Sequence, residues 1–171
     1  MAMYSSLTPG MTDDSMYVSS ERRPVINAEL PGDWFFPAYS GNKGWHRNNP
    51  DSVAKPKRGP LPPGKYYIVA RPTGGLLSRW DDAIKGLRSG SDRDLWFALY
   101  RQDRLLDDKT FINEVERGLF RLHPAGHSGN SDGCITLPNH ADYQVLMFAL
   151  YRSPAMMLTA QLKAFGTIQV Y

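Results

Sequence analysis

Residues 120–137 read FRLHPAGHSGNSDGCITL, and the rest of the chain is organised around them. The stretch holds the only cysteine of the chain, Cys134, and two of its four histidines, His123 and His127. Apolar residues lie at both ends, and a turn-rich loop between them predicts a strand, a loop and a second short strand. Because loops held by strands often carry function, a lone cysteine near two histidines predicts a nucleophile with a general base.

Two other interpretations of Cys134 remain open. A lone cysteine is most often a small buried hydrophobic residue, although the polar, glycine-rich surroundings make simple burial less favourable here. A metal site formed by His123, His127 and Cys134 is the other alternative, with Asp132 as the nearest fourth ligand. Pro124 and the glycines exclude a helix that would carry the histidine pair. We therefore prefer a catalytic thiol and expect neither a metal nor another cofactor.

Thiol chemistry assigns the roles around Cys134. A free cysteine has a pKa of about 8.5, so a nearby imidazole must take its proton at neutral pH. His123 ends the first apolar run, where a strand would fix its position, and it is the predicted base. His127 lies in the loop and is predicted to contact substrate. The backbone N–H groups of Gly133 and Cys134 are predicted to form an oxyanion hole, since glycine permits close approach.

The pattern Ser131-x-Gly133-Cys134-Ile135, preceded by a histidine at a strand end, resembles the active-site signature of the YkuD-like L,D-transpeptidases. These are cysteine enzymes of bacterial cell-wall peptide chemistry. Asp132 stands where that family usually has a histidine, and the spacing from His123 to Cys134 is shorter than in the wider family. Both departures are similar to a compact subgroup, the L,D-transpeptidase-like toxins delivered by type VI secretion.

A second block carries the same resemblance. Residues 39–42 (YSGN), 48–50 (NNP) and 59–68 (GPLPPGKYYI) are similar to the upstream half of that subgroup. The resemblance therefore covers roughly residues 34–137. It implies a compact YkuD-like β-sandwich or barrel and places Tyr39 and Ser40 among the residues that contact substrate.

The resemblance also implies the reaction. The thiolate would attack the L,D peptide bond between a diamino acid and the terminal D-Ala of a peptidoglycan stem peptide. Water as acceptor gives L,D-carboxypeptidase activity, and an amine acceptor gives transpeptidation or exchange. The main-chain carbonyl of Ser131 would orient His123. Arg121 is predicted to meet a substrate carboxylate, and Asp132 to hold the turn or contact substrate.

The periodicity of the chain predicts a mainly β fold with two helices, of the α+β class. Residues 1–30 are expected to be a flexible N-terminal arm or edge segment, and residues 31–171 a single catalytic domain. Aromatic and β-branched content predicts a first strand from Pro24 and further strands over 33–40, 65–70, 95–100, 119–123 and 166–171, with Trp96 as a core residue. Helices are predicted to open at Ser78 and at Asn139, and a short helical turn is predicted over 111–115. The second helix is predicted to end at Ser153-Pro154 and to carry Tyr143, Leu146, Met147 and Leu150 on its apolar face.

Composition limits the partners. A net charge of +3, with 22% charged residues and no lysine or arginine cluster, gives no indication of nucleic-acid binding. No stretch approaches the length of a membrane span. The N-terminus lacks the basic start and apolar core of a signal peptide. We therefore expect a cytoplasmic protein carried by a secretion apparatus to the periplasm of a target bacterium, with stem peptides as substrate and a cognate immunity protein.

Two rival classes of protein stay open. A papain-like amidase of wall peptides is one, but such enzymes place the cysteine at a helix N-terminus with the histidine far downstream. Here His123 precedes Cys134, and no helix is predicted to start at the cysteine. A non-catalytic wall-binding module is the other, and it would need no paired histidine and cysteine.

Overall fold

The computed structural model describes residues 16–19, 35–70 and 96–171. Within these ranges the fold is mainly β, with one α-helix, and belongs to the α+β class. The helix, α1, spans His140–Arg152. The strands are β1 Met16–Ser19, β2 Phe35–Ala38, β3 Gly64–Ala70, β4 Phe97–Arg101, β5 Lys109–Ile112, β6 Val115–Gly118, β7 Arg121–Pro124, β8 Ile135–Leu137, β9 Met156–Met157 and β10 Lys163–Val170.

Six strands form one sheet that curls into a half-barrel, in the order β8-β7-β4-β3-β10-β9. Its neighbours are antiparallel except β7 and β8, which run parallel. Strands β1 and β2 pair separately, and a two-way backbone contact between Tyr39 and Thr136 ties the end of β2 to β8. Because β7 and β8 are parallel, the loop between them runs back from the end of β7 to the start of β8, where Cys134 lies.

Most predicted strands are confirmed. Alternating aromatic and β-branched side chains produce β3 and β10, and the aromatic run after residue 95 produces β4. The predicted strand with Pro37 is β2, which has β1 as its antiparallel partner. Strand β1 lies inside the segment 1–30, and the division of the chain into an arm and a domain stays a prediction. The predicted strand from Pro24 and the helix opening at Ser78 lie outside the described residues.

The core lies between the sheet and α1. Inward-facing side chains of four strands pack against the apolar face of the helix, and they include Tyr66, Ile68, Phe97, Leu99, Leu122, Ile135 and Leu137. The helix contributes Tyr143, Leu146, Met147 and Leu150, as its spacing predicted. The Tyr143 hydroxyl donates to the Leu122 carbonyl at 3.2 Å, which satisfies a polar group inside this core.

Helix α1 begins and ends where the sequence predicts. The Asn139 side chain accepts a hydrogen bond from the Ala141 N–H at 2.9 Å, and Asp142 lies in the first turn, where its charge suits the helix dipole. Ser153, before Pro154, closes the helix. No helix in the described part of the chain is long and apolar enough to cross a membrane.

The helical turn predicted over 111–115 is wrong. These residues form the hairpin of β5 and β6, in which Ile112 pairs with Val115. Asn113 and Glu114 have φ of 49° and 67°, the two positive values that a two-residue hairpin turn with the twist of its strands requires. Asparagine adopts this conformation readily but glutamate does not, so the turn lacks the glycine by which it would be recognised.

The strand predicted over 119–123 starts two residues later, at Arg121. Leu119 has a φ of 57°, and its side chain is 70% exposed, so it belongs to a bend and not to the apolar strand. The Leu119 N–H donates to the Asp108 carbonyl at 3.0 Å, which fixes this bend. The consequence for the site is that the Leu119 carbonyl points toward the cysteine.

Candidate active site

Strand register brings His123 and Cys134 to one face of the sheet. Leu122 pairs with Ile135, and both are buried in the core. His123 pairs with Thr136, so these two side chains lie on the opposite face, because successive residues of a strand alternate. Cys134 lies directly before β8 and two residues before Thr136, so continued alternation puts it on the same face. The parallel pairing of β7 and β8 therefore places the predicted base and the predicted nucleophile diagonally across two neighbouring strands.

His123 is buried, with 6% of its surface exposed, and both ring nitrogens have partners. Nδ1 lies 2.8 Å from the Pro124 carbonyl oxygen, and Nε2 lies 3.3 Å from Thr136 Oγ1. A carbonyl oxygen can only accept, so Nδ1 carries the proton and the lone pair is on Nε2. Burial lowers the pKa of His123 below its usual value, which keeps the imidazole neutral. A neutral ring with its lone pair on Nε2 is the form a general base requires.

The carbonyl that orients His123 differs from the predicted one. Ser131 was predicted to supply it, whereas the observed contact is with Pro124, the next residue on the same strand. The Ser131 hydroxyl instead donates to the Cys134 carbonyl at 2.6 Å, and the Ser131 N–H donates to Asn42 Oδ1 at 3.2 Å. Ser131 is thus used in closing the turn before the cysteine.

The thiol of Cys134 lies against the backbone of residues 119–121. It is 8% exposed, and its Sγ lies 3.9 Å from the Leu119 carbonyl oxygen, to which the thiol donates. Burial raises the pKa of Cys134 to about 11, while the backbone N–H and the positive charge of Arg121 act in the opposite direction. The resting thiol is therefore protonated at neutral pH and needs a base.

Gly133 occupies a position that only glycine fills without strain. Its φ is 101°, in the left-handed region, and a Cβ there would lie 2.7 Å from Arg117 Nη2 and 2.9 Å from Phe120 Cε1. Within the described ranges, no hydrogen bond uses the N–H groups of Gly133 and Cys134. Both groups thus have donor capacity for the oxyanion hole that the sequence predicts.

Substituting Gly133 with alanine is expected to lower the free energy of unfolding by about 2–4 kcal/mol, from positive φ and overpacking together. Denaturant unfolding measures this effect. Gly126→Ala is the matched control in the same loop, because a Cβ there meets nothing within 4 Å, and it is expected to change stability by less than about 0.5 kcal/mol. Equal stability of the two variants would contradict the close packing described for Gly133.

The polar loop of residues 41–58 packs on the loop that carries Cys134. Arg47 Nη2 donates to the Gly129 carbonyl at 2.6 Å, and the Arg47 guanidinium lies 4.1 Å from the centre of the Tyr39 ring. Lys43 also approaches this loop, since a Cβ on Gly129 would lie 2.9 Å from its Cε. These contacts make residues 41–58 a wall of the candidate site and not a free surface loop.

The Arg117 side chain connects residues 53–60 to the turn that carries Cys134. Its guanidinium is buried and donates to the carbonyls of Val53, Gly59 and Pro60, the last two at 3.0 and 3.2 Å. The same side chain lies over the Phe120 ring, 5.4 Å from its centre. One cation thereby satisfies three backbone carbonyls, and it fixes the position of residues 53–60 relative to the Cys134 turn.

The five predicted substrate contacts occupy different settings. His127 and Asp132 are exposed beside the cysteine loop. Arg121 is held by Asp108 through two hydrogen bonds of 2.6 and 2.7 Å, so its charge is partly neutralised. Ser40 is fully buried, and its hydroxyl accepts from the Leu61 N–H at 2.7 Å, which makes it part of the scaffold. Tyr39 is buried, with Arg47 over its ring.

Three contributors to the site were not anticipated. Thr136 bonds to Nε2 of His123, Trp96 stacks on the same ring, and Asp108 binds Arg121. Trp96 was interpreted as a core residue, but its position one residue before Phe97 puts it on the opposite face of β4. Strand alternation could have indicated this position of Trp96. The Asp108 contact could not be predicted, because it depends on the β5–β6 hairpin, where the sequence predicted a helical turn.

Among the residues that the structure describes, no group of three or more His, Cys, Asp or Glu side chains is arranged to hold a metal ion.

A family model described as Tlde1 domain matches residues 35–162. That range includes β2, the wall loop, the sheet strands β3, β4, β7 and β8, and the whole of the candidate site. Comparisons with curated proteins and with solved structures gave no match.

Proposed function

The chain belongs to the Tlde1 domain family, and from this premise we propose that it is a cysteine L,D-carboxypeptidase or L,D-transpeptidase of peptidoglycan stem peptides. The family is one of type VI secretion effectors that act on the cell wall. The observation that carries the proposal is the strand pairing that puts the only thiol, Cys134, on one face with a neutral, oriented His123. The terminal D-Ala is the group removed or exchanged.

In the acylation step, the Thr136 hydroxyl turns away from Nε2, and His123 takes the thiol proton of Cys134. Sγ then forms a bond with the carbonyl carbon of the L,D peptide bond, and the carbonyl oxygen becomes an oxyanion. The N–H groups of Gly133 and Cys134 donate to that oxygen. When the intermediate collapses, the C–N bond breaks, and the imidazolium returns its proton to the amine of the departing D-Ala.

In the second step, water or an amine attacks the thioester carbonyl while His123 removes its proton. The C–S bond breaks, and the thiol is restored by the proton held on the ring. Water yields a shortened stem, and an amine acceptor yields a new amide bond. The backbone N–H of Arg121, which favours the ionised form of Cys134, stabilises the thiolate that forms in each cycle.

The surroundings of the site suit an anionic peptide. We assign substrate contact to the exposed His127 and Asp132 on the cysteine loop and to the exposed Lys43. Tyr39, which was also predicted to contact substrate, is buried and supports this rim. Arg121 can supply further positive charge, although Asp108 already occupies its guanidinium. Ser40 acts through the scaffold and not by direct contact. A cognate immunity protein and a secretion carrier are the partners this role requires, and the periplasm of a target bacterium is its place of action.

A papain-like amidase is disfavoured by the local fold. Cys134 is followed by β8 and not by a helix, and His123 precedes it on the neighbouring strand. The nucleophile therefore receives no support from a helix dipole, which papain-like sites use.

Incubation of the protein with purified tetrapeptide stems tests the proposal. Mass spectrometry is expected to show loss of the terminal D-Ala, and its replacement when a free D-amino acid is added in excess. Cleavage at any other bond of the stem would support a different wall amidase. Intact stems, recovered from a folded protein whose Cys134 still reacts with alkylating agents, would support a non-catalytic module.

A further inference from the structure

Trp96 lies beside the proposed base on the neighbouring strand. Phe97 pairs with Leu122 and Ala98 with Arg121 in the antiparallel register of β4 and β7. One step further along the same register places Trp96 opposite His123, and the two side chains share a face. Their rings are stacked, with centroids 4.2 Å apart and an angle of 18° between the ring planes.

The stack restrains the imidazole in a way that its hydrogen bonds do not. The bonds from Nδ1 to the Pro124 carbonyl and between Nε2 and Thr136 lie near the ring edge, and among the described residues each ring nitrogen makes one hydrogen bond. An indole against the flat side of the ring resists rotation out of that plane. It also occupies space from which water would otherwise reach the imidazole.

The charged groups around His123 leave burial as the dominant influence on its protonation. Cys134 and Arg121 share its face, and the Arg121 guanidinium is bound to Asp108. From the first turn of α1, His140 Nε2 lies 2.8 Å from the Ala125 carbonyl oxygen, one residue beyond the strand. Burial lowers the pKa of His123, and the Pro124 hydrogen bond acts in the opposite direction but is the smaller of the two effects. No charged side chain in the described part of the chain makes a resolved contribution.

We propose that Trp96 is a positioning residue for this reaction: its indole fixes the plane of the His123 ring and keeps water from it, so that Nε2 stays neutral and aimed along the cysteine face. The inference rests on the proposed function, because it assigns the base role to His123.

Two substitutions of Trp96 distinguish the effect of a flat aromatic ring from that of apolar volume. Trp96→Phe keeps an aromatic ring that can stack, whereas Trp96→Leu keeps apolar bulk without a flat surface. Phe111→Leu is the control, because Phe111 is an exposed aromatic residue on the β5–β6 hairpin. Each variant is compared with the wild type in thermal unfolding, so that a loss of fold is distinguished from a loss of positioning.

The decisive readout is the NMR titration of His123, which needs no substrate. In Trp96→Leu the midpoint is expected to rise toward the ordinary value of about 6.5, since water regains access to the ring. In Trp96→Phe and Phe111→Leu it should stay close to that of the wild type. With stem peptide, Trp96→Leu should lower kcat about 10- to 100-fold with little change in KM, as misplacement of a catalytic group does.

An unchanged His123 titration in folded Trp96→Leu, or a rise in KM with kcat preserved, would overturn the positioning role. If Trp96→Leu fails to fold, Trp96→Met takes its place, because it also removes the flat ring, and an unchanged His123 titration in that folded variant would overturn the proposal. If the wild type fails to process stem peptides, only the proposed function is contradicted, because the NMR titration of His123 tests the role of Trp96 without substrate.

Discussion

Cys134→Ala is expected to abolish turnover of tetrapeptide stems while the protein stays folded. Cys134 is the only thiol in the chain, and removal of a covalent nucleophile lowers kcat by on the order of 10⁴-fold or more. The sulfur lies 3.9 Å from the Leu119 carbonyl oxygen, which is a long contact, and alanine keeps the apolar Cβ. The cost in stability should therefore be about 1 kcal/mol. Release of D-Ala measures the activity, and thermal unfolding measures the fold.

Ser131→Ala is the companion variant for this prediction. It removes the hydroxyl that donates to the Cys134 carbonyl and leaves the thiol in place. A partial loss of turnover is expected, with alkylation of Cys134 retained. If folded Cys134→Ala still removed the terminal D-Ala at the wild-type rate, the thioester mechanism would be wrong, whatever Ser131→Ala showed.

His123→Gln is expected to remove the base and leave the strand intact. Glutamine can still bond to Thr136 but cannot accept a proton at neutral pH. General-base catalysis contributes about 10²- to 10⁴-fold, and kcat should fall by that amount. Iodoacetamide should also react more slowly with Cys134 near pH 7, because burial holds the thiol pKa at about 11 and only about one thiol in 10⁴ then ionises unaided. Alkylation rate against pH and stem turnover are the measurements.

The direction of the pH dependence follows from the lowered pKa of His123. The imidazole is neutral at pH 7 and stays neutral as the pH falls through 6.5, the ordinary value for histidine. Turnover by the wild type should therefore persist below pH 6.5 and fall only when the buried ring becomes protonated. A decline of turnover that starts well above pH 6.5 on acidification would point to a different base.

His127→Ala is the matched histidine control. His127 is exposed in the loop, with no hydrogen bond among the residues described. Its removal should leave alkylation of Cys134 near the wild-type rate and weaken turnover only in part, through substrate contact. If His127→Ala silenced both readouts while His123→Gln kept them, the roles of the two histidines would be reversed.

The sequence predicts local elements well where the side-chain pattern is strong. Alternation in β3 and β10 and the spacing of apolar residues in α1 are visible without tertiary information, and these elements were found as predicted. The hairpin around Asn113 and Glu114 was missed, because its turn depends on backbone angles that its residue types seldom adopt. The bend at Leu119 was missed for the same reason, since a leucine with positive φ leaves no sign in an apolar run.

The candidate site shows a similar limit. Residue types alone indicated Cys134 and His123, because the chain has one cysteine and only two histidines close to it in sequence. Which carbonyl orients the ring depended on loop closure, and Pro124 takes the place predicted for Ser131. The stack of Trp96 on His123 required the register between β4 and β7, which pairing across distant segments sets. The buried Arg117 follows from tertiary packing and has no local pattern.

The most direct test of the central claim is intact-protein mass spectrometry of the wild type mixed with excess tetrapeptide stem and quenched in acid over a series of times. Acyl transfer through Cys134 predicts a burst of D-Ala release together with a mass increase equal to the tripeptide acyl group. Peptide mapping should place that increase on Cys134, and Cys134→Ala should show neither signal. Continued release of D-Ala with no adduct on Cys134 at any quench time, or with the adduct on another residue, would contradict it.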